Sequence, residues 1–579
     1  MSETKIMERN VERISQWIGR RDFGIAFLCL TGTLLLCSVA LGQPADESGL
    51  AKGVEPATRT QPPATQTTAA TQTATGTLAD AIDSITEVEL KRHIDFLASD
   101  TLQGREAGTQ GNYAASAYIV DQLRKPKLAT ISADGDYYQY FYPNFRNIFA
   151  VIPGSDEQLK TEYILVGGHY DHVGFGNRSN SRGPFGVVHN GADDNASGTA
   201  GVLEIAHALA SLSPKPKRSI LIAFWDGEEK GLLGSKHFAD YPSIPLSKIR
   251  FHLNADMIGR LRPEGLEISG WRTAAGSRQF LAQQNLGGLK FRFMYSYKPE
   301  SDHWPLFQHR VPSLMVHTGK HADYHRPSDD THLLNMEGIR KVSQFMLRCA
   351  VAAANAETPP AFQDWSQEKS AAFTQIFDSP ARNEPSRLGV TYNGKLAEDG
   401  IIQLTSVVSE SPAKIAGLQV GDNVLALNGH SVKEASDFRT LVMTAPGDTV
   451  FSIRRQEAEL EVPVALRGDP MLFGFRWTMD DLEPGSVIVT QVAAGSPADA
   501  ARLKPHHRIR AVGGKKITTR DEFRKLLTET QNPVGLEVEF DGSFESLSID
   551  RPILLTGEAI RANAAARAAR AETERAGKK

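Results

Sequence analysis

Along the middle of the chain, short unbroken apolar runs alternate with stretches of helical spacing. Residues 147–152, 163–168, 219–225, 251–255 and 311–316 are the runs. Residues 87–97, 113–123 and 199–209 carry apolar side chains at helical intervals, the last through Val202, Ile205, Ala206 and Leu209. Runs without polar alternation predict strands covered on both faces, and their interleaving with helices predicts a mostly parallel α/β sheet flanked by helices. His, Asp or Glu follows each of the last four runs: His169 and Asp171, then Asp226, Glu228 and Glu229, then Asp256, and after a loop His325. In such sheets ligands gather outside the carboxyl ends of the strands, so these residues are expected to converge there.

Elsewhere the pattern changes character. Residues 1–22 are polar and end in Arg20-Arg21, and residues 23–41 are apolar and uncharged. With the small residues Ala40 and Gly42 behind them, residues 1–43 read as an export signal, or as a membrane anchor if the leader is retained. Export places the folded part in the periplasm or outside the cell. Arg20-Arg21-Asp22-Phe23 partly resembles a twin-arginine signal. Residues 44–79 are rich in Thr, Ala, Gln and Pro and predict a disordered linker. Residues 80–356 form the first folded domain, and 357–384, which lose periodicity, a second linker. The remainder repeats itself: Ser411-Pro412-Ala413 recurs as Ser496-Pro497-Ala498, residues 387–390 as 472–475, and 416–429 more weakly as 501–514. Two copies of a small β-rich domain follow, over 385–468 and 469–556. An Ala/Arg-rich basic tail, 557–579, is helix-prone.

Composition narrows the chemistry. At 579 residues the chain exceeds one core. A net charge of −4 gives no footprint for nucleic acid. Of three cysteines, Cys29 and Cys37 lie in the leader, leaving Cys349, which excludes an intrachain disulfide framework and a thiolate metal site once the leader is gone.

The candidate chemistry lies in Asn190-Gly191-Ala192-Asp193-Asp194-Asn195-Ala196-Ser197-Gly198, where acidic and amide groups stand among small residues just before a predicted helix. Two imidazoles, His169 and His325, with three carboxylates, Asp194, Glu229 and Asp256, make an N/O donor set suited to zinc. Five ligands are too many for one tetrahedral catalytic ion but suit two ions sharing a carboxylate. Asp194, on the tight turn, is the natural bridge, leaving His169 and Asp256 for one ion and Glu229 and His325 for the other. Two such ions about 3.5–4 Å apart can hold a water between them and polarise a carbonyl. Glu228, beside Glu229, is the candidate general base. Asp171 is placed to accept the second N–H of the His169 ring, and Tyr324 to donate to a developing oxyanion. Among the six histidines from His303 to His332, His303 reads as a pocket residue and His317 as a structural one.

Gly168-His169-Tyr170-Asp171, Gly191-Ala192-Asp193-Asp194-Asn195-Ala196-Ser197-Gly198, Glu228-Glu229-Lys230-Gly231-Leu232-Leu233-Gly234-Ser235, Asn254-Ala255-Asp256-Met257 and Tyr324-His325-Arg326-Pro327-Ser328-Asp329 resemble, in order, the motifs of the co-catalytic di-zinc aminopeptidase family (bacterial leucyl aminopeptidase type). Leu97 to Thr109, with Gly104-Arg105, is similar to that family's entry segment. The resemblance covers about residues 80–355. It implies two zinc ions per chain on His169, Asp194, Glu229, Asp256 and His325, Glu228 as base, hydrolysis of N-terminal peptide bonds, and a cis peptide after Asp194. The repeats resemble PDZ domains, in which Leu388, Gly389 and Val390 match the loop that receives a peptide's C-terminal carboxylate. The second repeat departs from the pattern, with His506-His507 for Gly-Asp and Gly513-Gly514 for Asn-Gly. Partners are therefore expected to be peptides with a free N-terminus, and C-terminal peptides at the repeats. Two alternatives stay open: a non-catalytic PDZ scaffold on a peptidase fold, or a carboxypeptidase or glutaminyl cyclase of the same fold.

Overall fold

The structure is a computed structural model. It describes residues 76–363 and 386–551, apart from 133, 434, 469, 494 and 495. The expected leader of residues 1–43, most of the first linker and the basic tail lie outside the described residues. Among the described residues no helix is long and apolar enough to cross a membrane.

Eight strands form one sheet in the order β1-β2-β4-β3-β5-β8-β6-β7. They are β1 (Tyr138–Phe141), β2 (Phe145–Ile152), β3 (Tyr163–His169), β4 (Ser219–Trp225), β5 (Ile249–Ala255), β6 (Leu266–Ser269), β7 (Phe291–Phe293) and β8 (Ser313–His317). The central strands β4, β3, β5 and β8 are mutually parallel, and antiparallel strands flank them, so the sheet is mixed with a parallel centre. The reason the runs looked continuous is visible in β4. Ile220, Ile222 and Phe224 point into one core, and Leu221, Ala223 and Trp225 into the other. Each such side chain, taken fully out of water, contributes about 1.5–3 kcal/mol.

Helices α1 (Leu78–Asp83), α2 (Glu87–Leu97), α3 (Gln110–Arg124), α4 (Gly198–Ser211), α5 (Leu233–Asp240), α6 (Ser277–Gln284), α7 (His303–Gln308) and α8 (Met336–Asn355) cover the sheet. α2, α4 and α8 pack on one face, with buried Leu90, Ile94, Val202, Ile205, Val342 and Met346. Phe238 of α5 and Leu306 of α7 close the other. Two boundaries move. Thr77 caps α1, accepting from Asp80 N while the Asp80 carboxylate accepts from Thr77 N, so the last residues of the expected linker, 44–79, belong to a capped helix. The second linker starts later than residue 357, because Gln363 N donates to Thr273 O and Ala275 N to Ala361 O.

The repeats are two sheets of six strands each. The first contains β9 (Val390–Tyr392), β10 (Ile402–Val407), β11 (Asn423–Leu427), β12 (His430–Ser431), β13 (Asp448–Arg455) and β14 (Ala458–Ala465). The second contains β15 (Phe475–Thr478), β16 (Val487–Val492), β17 (Arg508–Val512), β18 (Lys515–Lys516), β19 (Val534–Phe540) and β20 (Ser543–Ile549) in the same arrangement. His506 carries φ +72° where Gly421 of the first repeat has +92°, and Gly513 has +57° where Asn428 has +46°. The backbone demand is therefore unchanged; only its occupant differs, and the fold survives the altered motif.

Candidate metal centre

The metal-type residues meet at the carboxyl end of the parallel strands. His169 ends β3, Glu228 and Glu229 follow β4, and Asp256 follows β5. Asp194 sits on an irregular turn over 192–197 that leads into α4, and its peptide bond to Asn195 is cis. Asn195 ties that turn to two strands at once, donating from Nδ2 to His169 O at 3.2 Å and to Ala255 O at 3.0 Å. Glycine is required at 198: a Cβ there would stand 2.2 Å from Asn195 Oδ1 and 2.6 Å from Ala255 O.

Asp194 faces both histidines. Its Oδ1 lies 3.4 Å from His169 Nε2 and its Oδ2 lies 3.0 Å from His325 Nε2. Asp256 Oδ1 is 3.7 Å from His169 Nε2, and Glu229 Oε2 is 3.2 Å from His325 Nε2. The two pairs expected around a shared Asp194 are thus assembled side by side. Glu228 carries a ligand-capable atom within 4.8 Å of those of His169 and Asp256. Its carboxyl stands on the wall of a cavity of about 360 Å³ that His169, Asp194, Asp256 and Tyr324 also line.

Burial, joined by Glu229, Asp302 and Asp256, lifts Glu228 well above the ordinary carboxylate range. Burial works against charge on His325, yet Asp194 and Glu229 overcome it and push its pKa up to about 11. The same contest raises His169, where Glu228, Asp171, Asp194 and Asp256 outweigh burial. These clustered carboxylates favour positive charge at the imidazoles. A divalent cation answers the same need, and the neutral-imidazole and carboxylate donors suit zinc. His172 adds to the fit: it stands with Asp194 and Glu229 in one group of possible ligands.

Three expectations change. Asp171 does not accept from the His169 ring through its carboxylate, which is 3.8 Å from Nδ1; the backbone oxygen of Asp171 fills that role at 3.2 Å. The carboxylate instead accepts from Glu228 N at 3.0 Å and Glu229 N at 3.3 Å, so it holds the turn that presents both glutamates. His303 is buried behind the wall, bonded to Lys298 O, whereas His317 lines the cavity. The alternation of β8 decides this, since His317 ends a strand aimed at the site. Tyr324 stacks on His325 with ring centroids 3.9 Å apart and lines the cavity; burial and the surrounding carboxylates raise its phenol well above its usual pKa, which keeps it a neutral donor.

Two residues of the site went unrecognised in the sequence. His172, three places after His169, sets Nδ1 2.9 Å from Glu229 Oε1 and 3.9 Å from Asp194 Oδ2. Its place in Gly-His-Tyr-Asp-His was the available signal. Arg105, fully buried, donates to the carbonyls of Leu97, Tyr170, Asn190 and Gly191. It clamps the chain after β3 to the Asp194 turn, and burial lowers its pKa to about 10. His325 is held from behind by the 175–189 segment, through Asn180 O at 2.8 Å from Nδ1.

In the first repeat, Leu388 is buried in the core, Gly389 has φ +81° with its N–H given to Ser386 Oγ, and Val390 opens the edge strand β9.

Residues 147–350 match peptidase family M28, and residues 403–455 and 464–539 each match the PDZ domain. Leupeptin-inactivating enzyme 1 of Streptomyces exfoliatus is 34% identical over 118 residues, 20% of this chain and 23% of that protein. Aminopeptidase YwaD of Bacillus subtilis is 27% identical over 209 residues, 34% of this chain and 43% of that protein. The chain thus spans less than half the length of these curated relatives. Among solved structures, the LapA aminopeptidase of Legionella pneumophila superposes with a TM-score of 0.40 at 18% identity, over 48% of this chain and 74% of that one.

Proposed function

We propose that the chain, whose residues 147–350 match peptidase family M28 and whose residues 403–455 and 464–539 match the PDZ domain, is an aminopeptidase removing the first residue of peptides with a free N-terminus. Two zinc ions per chain would be held by His169 and Asp256, by Glu229 and His325, and by Asp194 between them. The observation that carries this reading is Asp194, whose two oxygens face the two histidines separately.

Bound there, the ions supply Lewis-acid polarisation of the scissile carbonyl and a water acidic enough to ionise near neutral pH. Glu228 accepts the proton of the attacking water and returns it to the departing amine. Asp171 holds the backbone of Glu228 and Glu229. Tyr324 donates its hydroxyl hydrogen to the oxygen that gains charge. Glu267 and Glu300, which line the cavity together with Lys298 and Lys320, offer carboxylates that a free ammonium can use and an acylated amine cannot. Met257, Met294 and Met315 line it as well, and these adaptable apolar side chains favour an apolar first residue. The edge strand β9 supports peptide docking by strand addition at the first PDZ domain. The apolar segment 23–41 supports action outside the cytoplasm.

The test pairs zinc content of the purified protein with release of leucine from a leucyl dipeptide and from its N-acetyl form. Two zinc ions per chain, chelator-sensitive release from the free dipeptide and none from the blocked one are expected. Turnover of the blocked dipeptide, or no turnover with zinc restored, overturns the reading.

A further inference from the structure

β7 is the last strand of the peptidase sheet, and the turn between β19 and β20 of the second PDZ domain meets that edge. Phe291 N donates to Asp541 O at 2.8 Å, and Asn285 Nδ2 to Gly542 O at 3.0 Å. Gly542, at φ +84°, lies against the Phe291 ring so tightly that a Cβ would stand 2.2 Å from Cδ2. An exposed edge strand invites unwanted pairing, and a docked hairpin removes that hazard.

Charged groups surround this contact and are withdrawn from water. Arg278 of α6 holds both oxygens of Glu539 on β19, at 2.8 and 3.1 Å, and Arg510 reaches the same carboxylate at 3.3 Å. Arg272 pairs with Asp480. Arg508 of β17 grips Glu483 with two bonds of 2.9 Å. Each of these side chains is buried.

Arg508 does more than fasten the domains. Its Nη2 also donates to the hydroxyl of Tyr295 across the interface, at 2.7 Å. Tyr295 lies between Met294 and Ser296, which line the catalytic cavity, as Lys298 does after them. Trp271 packs edge-on against Tyr295, centroids 5.3 Å apart, and donates its indole N–H to Met294 O at 2.9 Å. The segment after β7 is therefore gripped on the side away from the cavity by a guanidinium that belongs to the PDZ domain. A hydrogen bond to a charged group is roughly twice as strong as a neutral one, so this grip is well placed to set the segment.

We propose that the second PDZ domain is a fixed part of the peptidase's substrate pocket, with Arg508 a positioning residue that acts through Tyr295 on the 294–298 wall and so selects the side chain at the cleaved position. This rests on the aminopeptidase reading for its substrate, but not for its geometry. The contact places the domain as an integral wall, not a tethered reader beside the enzyme.

The test uses the full chain and two substitutions, Tyr295→Phe and Arg508→Lys. Leucyl and alanyl p-nitroanilides report selectivity through kcat and KM, and amide hydrogen exchange reports residues 291–300. Losing one charged hydrogen bond corresponds to roughly a tenfold effect. Tyr295→Phe should lower the leucyl-over-alanyl preference about tenfold, through KM, with zinc content retained. It should also speed exchange in 291–300, and Arg508→Lys, which keeps the charge but not the fork, should fall between it and the parent. Unchanged exchange in 291–300, or an equal loss of kcat on both substrates, overturns the proposal. If the parent cleaves neither substrate, the aminopeptidase reading falls, and the exchange measurement still decides whether the PDZ domain holds the wall.

Discussion

Two regions of this molecule withdraw groups of carboxylates from water, and they are balanced differently. At the sheet's carboxyl end, Asp194, Glu228, Glu229 and Asp256 meet imidazoles, whose ordinary pKa leaves them mostly neutral. At the edge by β7, Asp480, Glu483 and Glu539 meet Arg272, Arg278, Arg508 and Arg510, which are permanently charged. The first group is left short of positive charge, as the raised pKa of His325 records. The second is already neutralised: burial favours the protonated form of Glu483, but Arg508 holds it down at about 2. Clustered acid side chains thus have two meanings. With imidazoles they ask for a cation; with guanidinium forks they fasten one surface to another.

Substitutions can break that contrast. The largest effect is expected from Glu228→Gln, which keeps the shape and removes the proton acceptor. Activity should fall by about 10²–10⁴-fold while zinc content stays that of the parent. Loss of zinc along with activity would move Glu228 from base to ligand, a reading its closeness to His169 and Asp256 makes worth checking.

Next comes the fastener. Arg278→Ala leaves the buried Glu539 with Arg510 as its one remaining guanidinium, at 3.3 Å, and should cost no more than about 3–5 kcal/mol in denaturant unfolding. Replacing both partners, Arg278→Met with Glu539→Leu, in a chain that also carries Arg510→Leu should cost much less, because none of the three buried charges of the cluster then remains. Equal losses in the single and combined variants would mean that shape, not charge, holds the domains together.

The smallest effect is expected at His172. Its Nδ1 stands 2.9 Å from Glu229 Oε1, and His172→Gln should weaken zinc binding by about 10–100-fold in a chelator competition. A much larger loss would promote His172 to a ligand; no change would leave it a packing residue.

Much of the site was legible because its residues follow strands whose apolar runs are unmistakable. His169, Glu228, Glu229 and Asp256 inherit their positions from β3, β4 and β5, whose register is set by burial on both faces. Asp171 shows where that legibility ends. Its nearness to the site followed from its place after β3, but whether its carboxylate met the His169 ring or the backbone of the next strand's turn depended on how the two turns abut. His317 and His303 were exchanged for a related reason: both stood in a histidine-rich stretch, and only the fold told them apart, with His303 buried at the start of α7 and His317 lining the cavity at the end of β8.

The sequence by itself determined the parallel-centred sheet, the repeat and the donor types, because periodicity and chemical identity are local properties of a chain. The tertiary structure alone decided that Arg105 clamps the Asp194 turn, that His172 supports Glu229, and that the second PDZ domain meets the edge of the peptidase sheet. Arg278 and Glu539 are 261 residues apart, and each by itself looks like an ordinary surface charge. What makes them a joint is burial in common, and burial is a property of the packed molecule.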